Sequence, residues 1–172
     1  PKKAGLFKSG GALYLFVESP ICPGPRDPDG PINIAKRQGE NDRWLNLGQY
    51  DNPLNPKAHQ EITGPQIEAQ LGGKVDFFSA GLGTTGTFTG TAQYLKSKIP
   101  SLITVGAVRV PNNAVPGVRT INQLAEIDFK WDKLIDKGYI FKISTKESYY
   151  NSWLMIRKGL LVGLVLDFLW PH

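Results

Sequence analysis

The stretch Gly81-Leu82-Gly83-Thr84-Thr85-Gly86-Thr87 holds residue types that bind an anion without any charged side chain. Its glycines let the backbone turn tightly and approach a ligand closely. Its threonines add hydroxyl donors. The apolar run Val75 to Ala80 leads into it, and a segment with helical spacing follows, from about Thr87 to Lys98. A strand, a Gly/Thr turn and a helix start bring unpaired amides and the positive end of a helix dipole to one point. The chemistry this predicts is a phosphate cradle.

Three phosphate loops compete for that description. A mononucleotide loop ends in Gly-Lys-Ser/Thr, and Gly86-Thr87-Phe88 has no lysine. A dinucleotide loop needs Gly-x-Gly-x-x-Gly, which Gly81 to Gly86 satisfies, and an acid for the ribose about 20 residues on. No Asp or Glu lies between Leu102 and Val110. The third loop is a threonine-rich cup for the phosphate of pyridoxal phosphate.

Elsewhere the reactive residue types stand alone. Cys22 is the single cysteine and sits in a proline-rich loop, so no internal disulfide and no Cys/His metal cluster is expected. That usage suits a reducing, cytoplasmic setting. His59 has no partner carboxylate in its stretch of sequence, and is expected to pack or hydrogen-bond rather than catalyse. The 172 residues are 41% hydrophobic and 20% charged, a composition that supports a globular core. Net charge is +5, and the basic residues are scattered (Lys2 and Lys3, Lys36 and Arg37, Lys96 and Lys98, Arg157 and Lys158) without interleaved aromatics. This argues against nucleic acid as a partner. The run from Gly159 to Trp170 contains Asp167 and falls short of the roughly 20 residues a membrane span needs. It reads as a buried strand with its following segment, and no membrane partner is expected.

The elements that must position the cradle follow from period and breakers. Residues 1–9 read as a helix end stopped by Gly10-Gly11, and Ala12 to Val17 as a buried strand. After a proline-rich loop, Pro31 opens a helix to about Gln38 that Gly39 closes. Trp44 and Leu45 are expected in a short strand. The two Asn-Pro steps predict extended or turn geometry at Asn52 and Asn55. A helix is then expected from about Pro56 to Leu71, broken locally at Gly64-Pro65. Beyond the cradle come a strand over Ile103 to Val108, an unpatterned segment from Arg109 to Asp132, and a strand over Tyr139 to Ile143. A helix over Thr145 to Arg157, with Thr145 as its cap, precedes a last strand opening at Leu160 to Val162. Alternating strands and helices predict an α/β fold with a parallel sheet. Ligands in such sheets lie beyond the carboxyl ends of the strands, where the Gly81–Thr87 turn falls.

GLGTTGTFTG resembles the phosphate loop of the tryptophan-synthase-like (fold type II) family of pyridoxal-phosphate enzymes. QYDNPLNPKAHQEITGPQI is similar to the matching stretch of cysteine synthases (O-acetylserine sulfhydrylases) and of cystathionine β-synthases. The two motifs stand in the family's order and near its spacing. GALYLFVES, RDPDGPINIAKR and GLLVG also resemble its pieces. The likeness covers most of residues 1–110 and returns over 134–163.

This resemblance implies a three-layer α/β sandwich with a mostly parallel sheet, in incomplete form. Residues 1–47 would be a remnant of the small N-terminal domain and 48–172 part of the large cofactor domain. It implies that Gly83, Thr84, Thr85, Gly86 and Thr87 hold the phosphate of pyridoxal 5'-phosphate. It implies a role for Gln49 in receiving the carboxylate of a small amino-acid substrate, with Tyr50 where the family usually has phenylalanine. The implied activity is a β-replacement in which sulfide displaces acetate from O-acetylserine, and the implied assembly is a homodimer. Cystathionine formation and serine/threonine dehydration are alternatives on the same fold. A non-catalytic piece that binds a phosphate or a partner chain is another.

The departures from the family pattern also carry expectations. The family's reactive lysine belongs to an N-terminal motif of the type Asn-Pro-x-x-Ser-x-Lys-Asp-Arg, which is absent, and Lys2, Lys3 and Lys8 fall in a different context. The Thr-Ser-Gly-Asn-Thr-Gly loop for the substrate carboxylate is absent too. GLLVG continues into Leu164 rather than into the family's serine turn. PGVRT is closer to a divergent branch. No catalytic residue and no metal ligand is assigned, and this polypeptide is expected to be an internal piece that does not turn over alone.

Overall fold

In a computed structural model of the chain, residues 24–136 and 138–162 are described. The strands β1 (Phe77–Gly81), β2 (Ile103–Arg109) and β3 (Ile140–Ile143) form one sheet. It is parallel throughout, in the order β1-β2-β3, with Gly81 opposite Ala107 and Arg109 opposite Ile143. The parallel α/β expectation holds. Parallel strands need crossovers, and helix α4 (Gly86–Lys98) supplies the one between β1 and β2. Its residues Phe88 and Ala92 join Ala80, Leu82, Val108, Leu124, Ile127 and Trp131 in the main core, where Phe78 stacks on Phe88. Alternation along β2 sends Ala107 to the opposite face, where it meets Val115, Val118 and Ile143.

Helix α1 (Pro31–Gly39) matches its expected span, with proline in its first turn. The helix expected from Pro56 begins two residues earlier. It runs as α2 (Leu54–Ala58), a single π turn (His59–Thr63) and α3 (Gly64–Leu71). Asn55 is therefore helical rather than extended. Pro56 is tolerated there because the first amides of a helix lack internal partners. The Gly64-Pro65 break appears as the π turn just before it, closed by the Gly64 amide on the His59 carbonyl. α4 packs against this whole assembly. A Cβ on Gly90 would lie 1.9 Å from the Pro56 carbonyl and 2.9 Å from the Gln60 amide, so only glycine lets the backbones come this close.

Other expectations are corrected. Trp44 and Leu45 form no strand; they lie exposed in a segment bent by side-chain bonds from Asn41 and Asn46 to nearby amides. β1 begins at Phe77 rather than Val75 and ends at Gly81. The unpatterned stretch holds a short helix α5 (Ile121–Leu124) with a Thr120–Gln123 capping box, and a 3-10 turn over Trp131–Lys133. Helix α6 (Thr145–Arg157) is capped by Ser144 with Glu147, not by Thr145, whose hydroxyl accepts instead from the Ala114 amide. Leu160 to Val162 are not in a strand.

At the amino ends of the strands, Asp136 accepts from the Thr104 amide (2.7 Å) and from Lys96 Nζ (2.9 Å). These bonds hold its carboxyl down to about 2, the Thr104 amide contributing most. Expectations for residues 1–9, Ala12 to Val17, Cys22 and Leu164 onward lie outside the described residues. Among the described residues, no helix is long and apolar enough to cross a membrane.

Candidate functional site

The carboxyl end of β1 is fixed by its backbone. Leu82 is fully buried, donates its amide to the Ala107 carbonyl (2.8 Å) and accepts from the Arg119 amide (2.8 Å). The chain then turns through Gly83 and Thr84. Thr85 adopts a left-handed conformation (φ 66°) that aims the backbone into the first turn of α4. A cavity of about 220 Å³ lies over this turn, bordered by Gly81, Gly83, Thr84, Thr85, Thr87 and Gly117. Four of the five residues expected in a phosphate cup border it. The fifth, Gly86, opens α4 directly beneath.

Each hydroxyl there has a distinct situation. Thr84 Oγ1 accepts from the Gly86 amide (3.3 Å) and from Asn55 Nδ2 (3.2 Å). Thr87 Oγ1 is hydrogen-bonded to His59 Nε2 (3.1 Å), and His59 Nδ1 to Thr63 Oγ1 (2.9 Å). His59 is thus a hydrogen-bonding residue behind the turn, with both ring nitrogens engaged. Thr85 is 2% exposed, and its hydroxyl has no protein partner. Thr89 and Thr91 share that condition farther along α4, but only Thr85 borders the cavity. A buried hydroxyl without a partner is costly, and Thr85 carries that cost at the turn itself.

Among the described residues no charged side chain, and so no carboxylate to repel an anion, borders the cavity. What it offers is neutral: hydroxyls, the first amides of a helix, and the helix dipole. Among the described residues no lysine borders it, so nothing there would bond covalently to an aldehyde. The donor set fits a phosphate.

Gln49 lies apart from the cup. Its carbonyl accepts from Asn55 Nδ2 (2.6 Å), and its exposed residue borders a second cavity of about 330 Å³ with Lys36, Asp51, Tyr50 and Arg119. The Tyr50 hydroxyl accepts from Arg119 Nη2 (2.5 Å), and the guanidinium lies 5.3 Å from the Tyr50 ring centre. Sequence reasoning missed Asn55, Gly117 and Arg119. Asn55 stood inside the Asn-Pro motif, but its reach to Thr84 across 29 positions needs the tertiary docking of α2 on α4.

The chain is 35% identical over 118 residues to cysteine synthase B of Pseudomonas aeruginosa, which covers 69% of this chain and 38% of that protein. It is 33% identical over 157 residues to a cysteine synthase of Helicobacter pylori, covering 87% of this chain and 50% of that protein. A crystal structure of an O-acetylserine dependent cystathionine beta-synthase from Helicobacter pylori superimposes with a TM-score of 0.80 at 26% identity. It covers 97% of this chain and 55% of that one. The chain spans about half the length, or less, of these relatives. Its fold is thus part of the tryptophan-synthase-β-like architecture. A family model described as "Pyridoxal-phosphate dependent enzyme" matches residues 1–152, and the chain belongs to that family, whose cofactor is pyridoxal phosphate.

Proposed function

We propose that Gly83, Thr84, Thr85, Gly86 and Thr87 hold the phosphate of pyridoxal phosphate, and that the site serves β-replacement on O-acetylserine with sulfide. The observation that carries this is the cavity at the β1–α4 junction, bordered by the Gly/Thr turn and standing at the first turn of α4. When bound, the cofactor supplies an electron sink that lets a β-substituent leave and a nucleophile take its place. The chain's own residues bind and orient. Amides and hydroxyls of the turn meet the dianion, and His59 holds the Thr87 side chain from behind. Gln49, on the neighbouring cavity, receives the substrate carboxylate. The likeness to cysteine synthases supports sulfide as acceptor. The Helicobacter structure favours a second acceptor, homocysteine, on the same site.

We further propose that residues up to 47 belong to the small domain, with the Lys36–Asp51 ion pair (2.5 Å) spanning the boundary, and that the working assembly is a homodimer. This polypeptide alone does not turn over, because no lysine borders the cup among the described residues.

Titration calorimetry with pyridoxine 5'-phosphate and with pyridoxine tests the cup, since neither probe has an aldehyde to react with surface lysines. The phosphorylated probe is expected to bind at least about tenfold tighter, and Thr85→Val to weaken it about fivefold or more. Equal affinity for the two probes defeats the cup assignment. Cysteine formation from O-acetylserine and sulfide by this chain alone defeats the inactivity proposal.

A further inference from the structure

Asn55 makes two bonds with one nitrogen. Nδ2 donates to the Gln49 carbonyl (2.6 Å) and to Thr84 Oγ1 (3.2 Å). The carbonyl can only accept, so it fixes which end of the Asn55 amide faces this way. Thr84 Oγ1 also receives the Gly86 amide (3.3 Å). A hydroxyl has two lone pairs and one proton. With both lone pairs facing N–H donors, the Thr84 proton has one direction left, and Thr84 borders the cup cavity. The contact is built into the backbone: a Cβ on Gly86 would lie 2.0 Å from Asn55 Oδ1, so the glycine leaves room for this amide and no other residue would.

We infer that Asn55 is a positioning residue that sets the Thr84 hydroxyl as a donor into the phosphate cup, and ties that setting to the Gln49 segment. This rests on the cup assignment. Asn55 does not itself border the cup cavity. It acts by occupying a lone pair of Thr84, so its effect on anion affinity exists only while Thr84 has its hydroxyl. The same amide joins the backbone at Gln49 to the phosphate turn, so a shift of either loop is felt by the other.

The test is a double-mutant cycle on the full chain, read as affinity for pyridoxine 5'-phosphate by calorimetry. Asn55→Ala is expected to weaken binding about fivefold in the wild-type background and less than about twofold in the Thr84→Val background. A fold preserved only for structural reasons would not lose its dependence on Asn55 when one methyl replaces one hydroxyl. Equal losses in the two backgrounds overturn the inference, as does an Asn55→Ala protein of unchanged affinity. If Asn55→Ala does not fold, Asn55→Asp replaces it. The charge that aspartate adds acts in both backgrounds and cancels in the cycle. Wild-type protein that fails to prefer pyridoxine 5'-phosphate over pyridoxine overturns the cup and this inference together. A preference combined with equal losses overturns the inference alone.

Discussion

Thr85 carries two costs at one position. It is β-branched in the left-handed region (φ 66°), and its buried hydroxyl has no protein partner. Strain of that kind is of order 1–3 kcal/mol. Residues kept in such a state cluster at ligand sites, where the conformation positions donors. Thr85→Gly should therefore raise the thermal unfolding midpoint, by roughly 1 kcal/mol of stability after the added chain entropy, while weakening phosphate binding. Parallel melting and titration check it; a loss of both stability and affinity would show that the hydroxyl is structural. The sequence displayed the donor types of this turn openly, because glycines and threonines after an apolar run have few other uses. It did not display which donors were already engaged. The partners of Thr84 and Thr87 come from Asn55 and His59, each close to 30 positions away.

The secondary elements were legible where pattern alone decided them and illegible where docking did. β2, β3, α4 and α6 fall within about two residues of their expected limits, since apolar runs and helical spacing are local properties. Thr145 was the expected cap of α6, and Ser144 takes that place. The choice went to Ser144 because Thr145 is drawn to Asn113 and Ala114, a contact no local pattern reveals. Trp44-Leu45 failed as a strand because, among the described residues, no strand pairs with it. The closest helix contact is at Gly90, against the Pro56 carbonyl in the middle of α2 and the Gln60 amide of the π turn. Gly90→Ala must push α4 away from these backbone atoms, at a cost of about 2–4 kcal/mol despite alanine's better helix propensity. Urea unfolding measures it. A stabilised variant would mean that the helices are not held at this distance in solution.

At the scale of the whole molecule, the sheet is held at both ends by polar chemistry of different kinds. Neutral donors border the cup at the carboxyl end of β1, while the amino end of the sheet carries the Lys96–Asp136 pair and the Thr104 amide. The folded carboxyl of Asp136 titrates at about 2 against an ordinary 3.8. A lowered folded pKa stabilises the fold above the unfolded value, and the contribution disappears as pH falls from about 4 through about 2. The Asp136 side chain is 38% exposed, so solvent screening leaves about 1 kcal/mol of this. Asp136→Asn should cost that amount at pH 7 and only a small part of it at pH 2, as urea midpoints across the range will show. An undiminished difference at pH 2 would assign the loss to packing. The parallel sheet itself was legible from the alternation of elements, and with it the carboxyl end at which the Gly81–Thr87 turn falls. Which residues of Arg109 to Asp132 return to that end was not, because Arg119 is placed by its amide on the Leu82 carbonyl, and Gly117 by its close approach to Gly83, rather than by a period of their own.

The π turn at His59–Thr63 also sets a phase. An α-helix advances about 100° per residue, so in an unbroken helix the 13 steps from Asn55 to Glu68 would leave these side chains about 140° apart, nearly on opposite sides. A turn that absorbs one residue reduces the separation to about 120° in the other sense. Both side chains then address the same neighbour: Asn55 reaches Thr84 at the head of α4, and Glu68 accepts from Tyr94 Oη (2.5 Å) two turns along it. The surplus residue works as a key cut into the rod. It fixes the handedness with which α2 and α3 meet α4, and removing it would turn one end of the rod out of register while the other stayed seated.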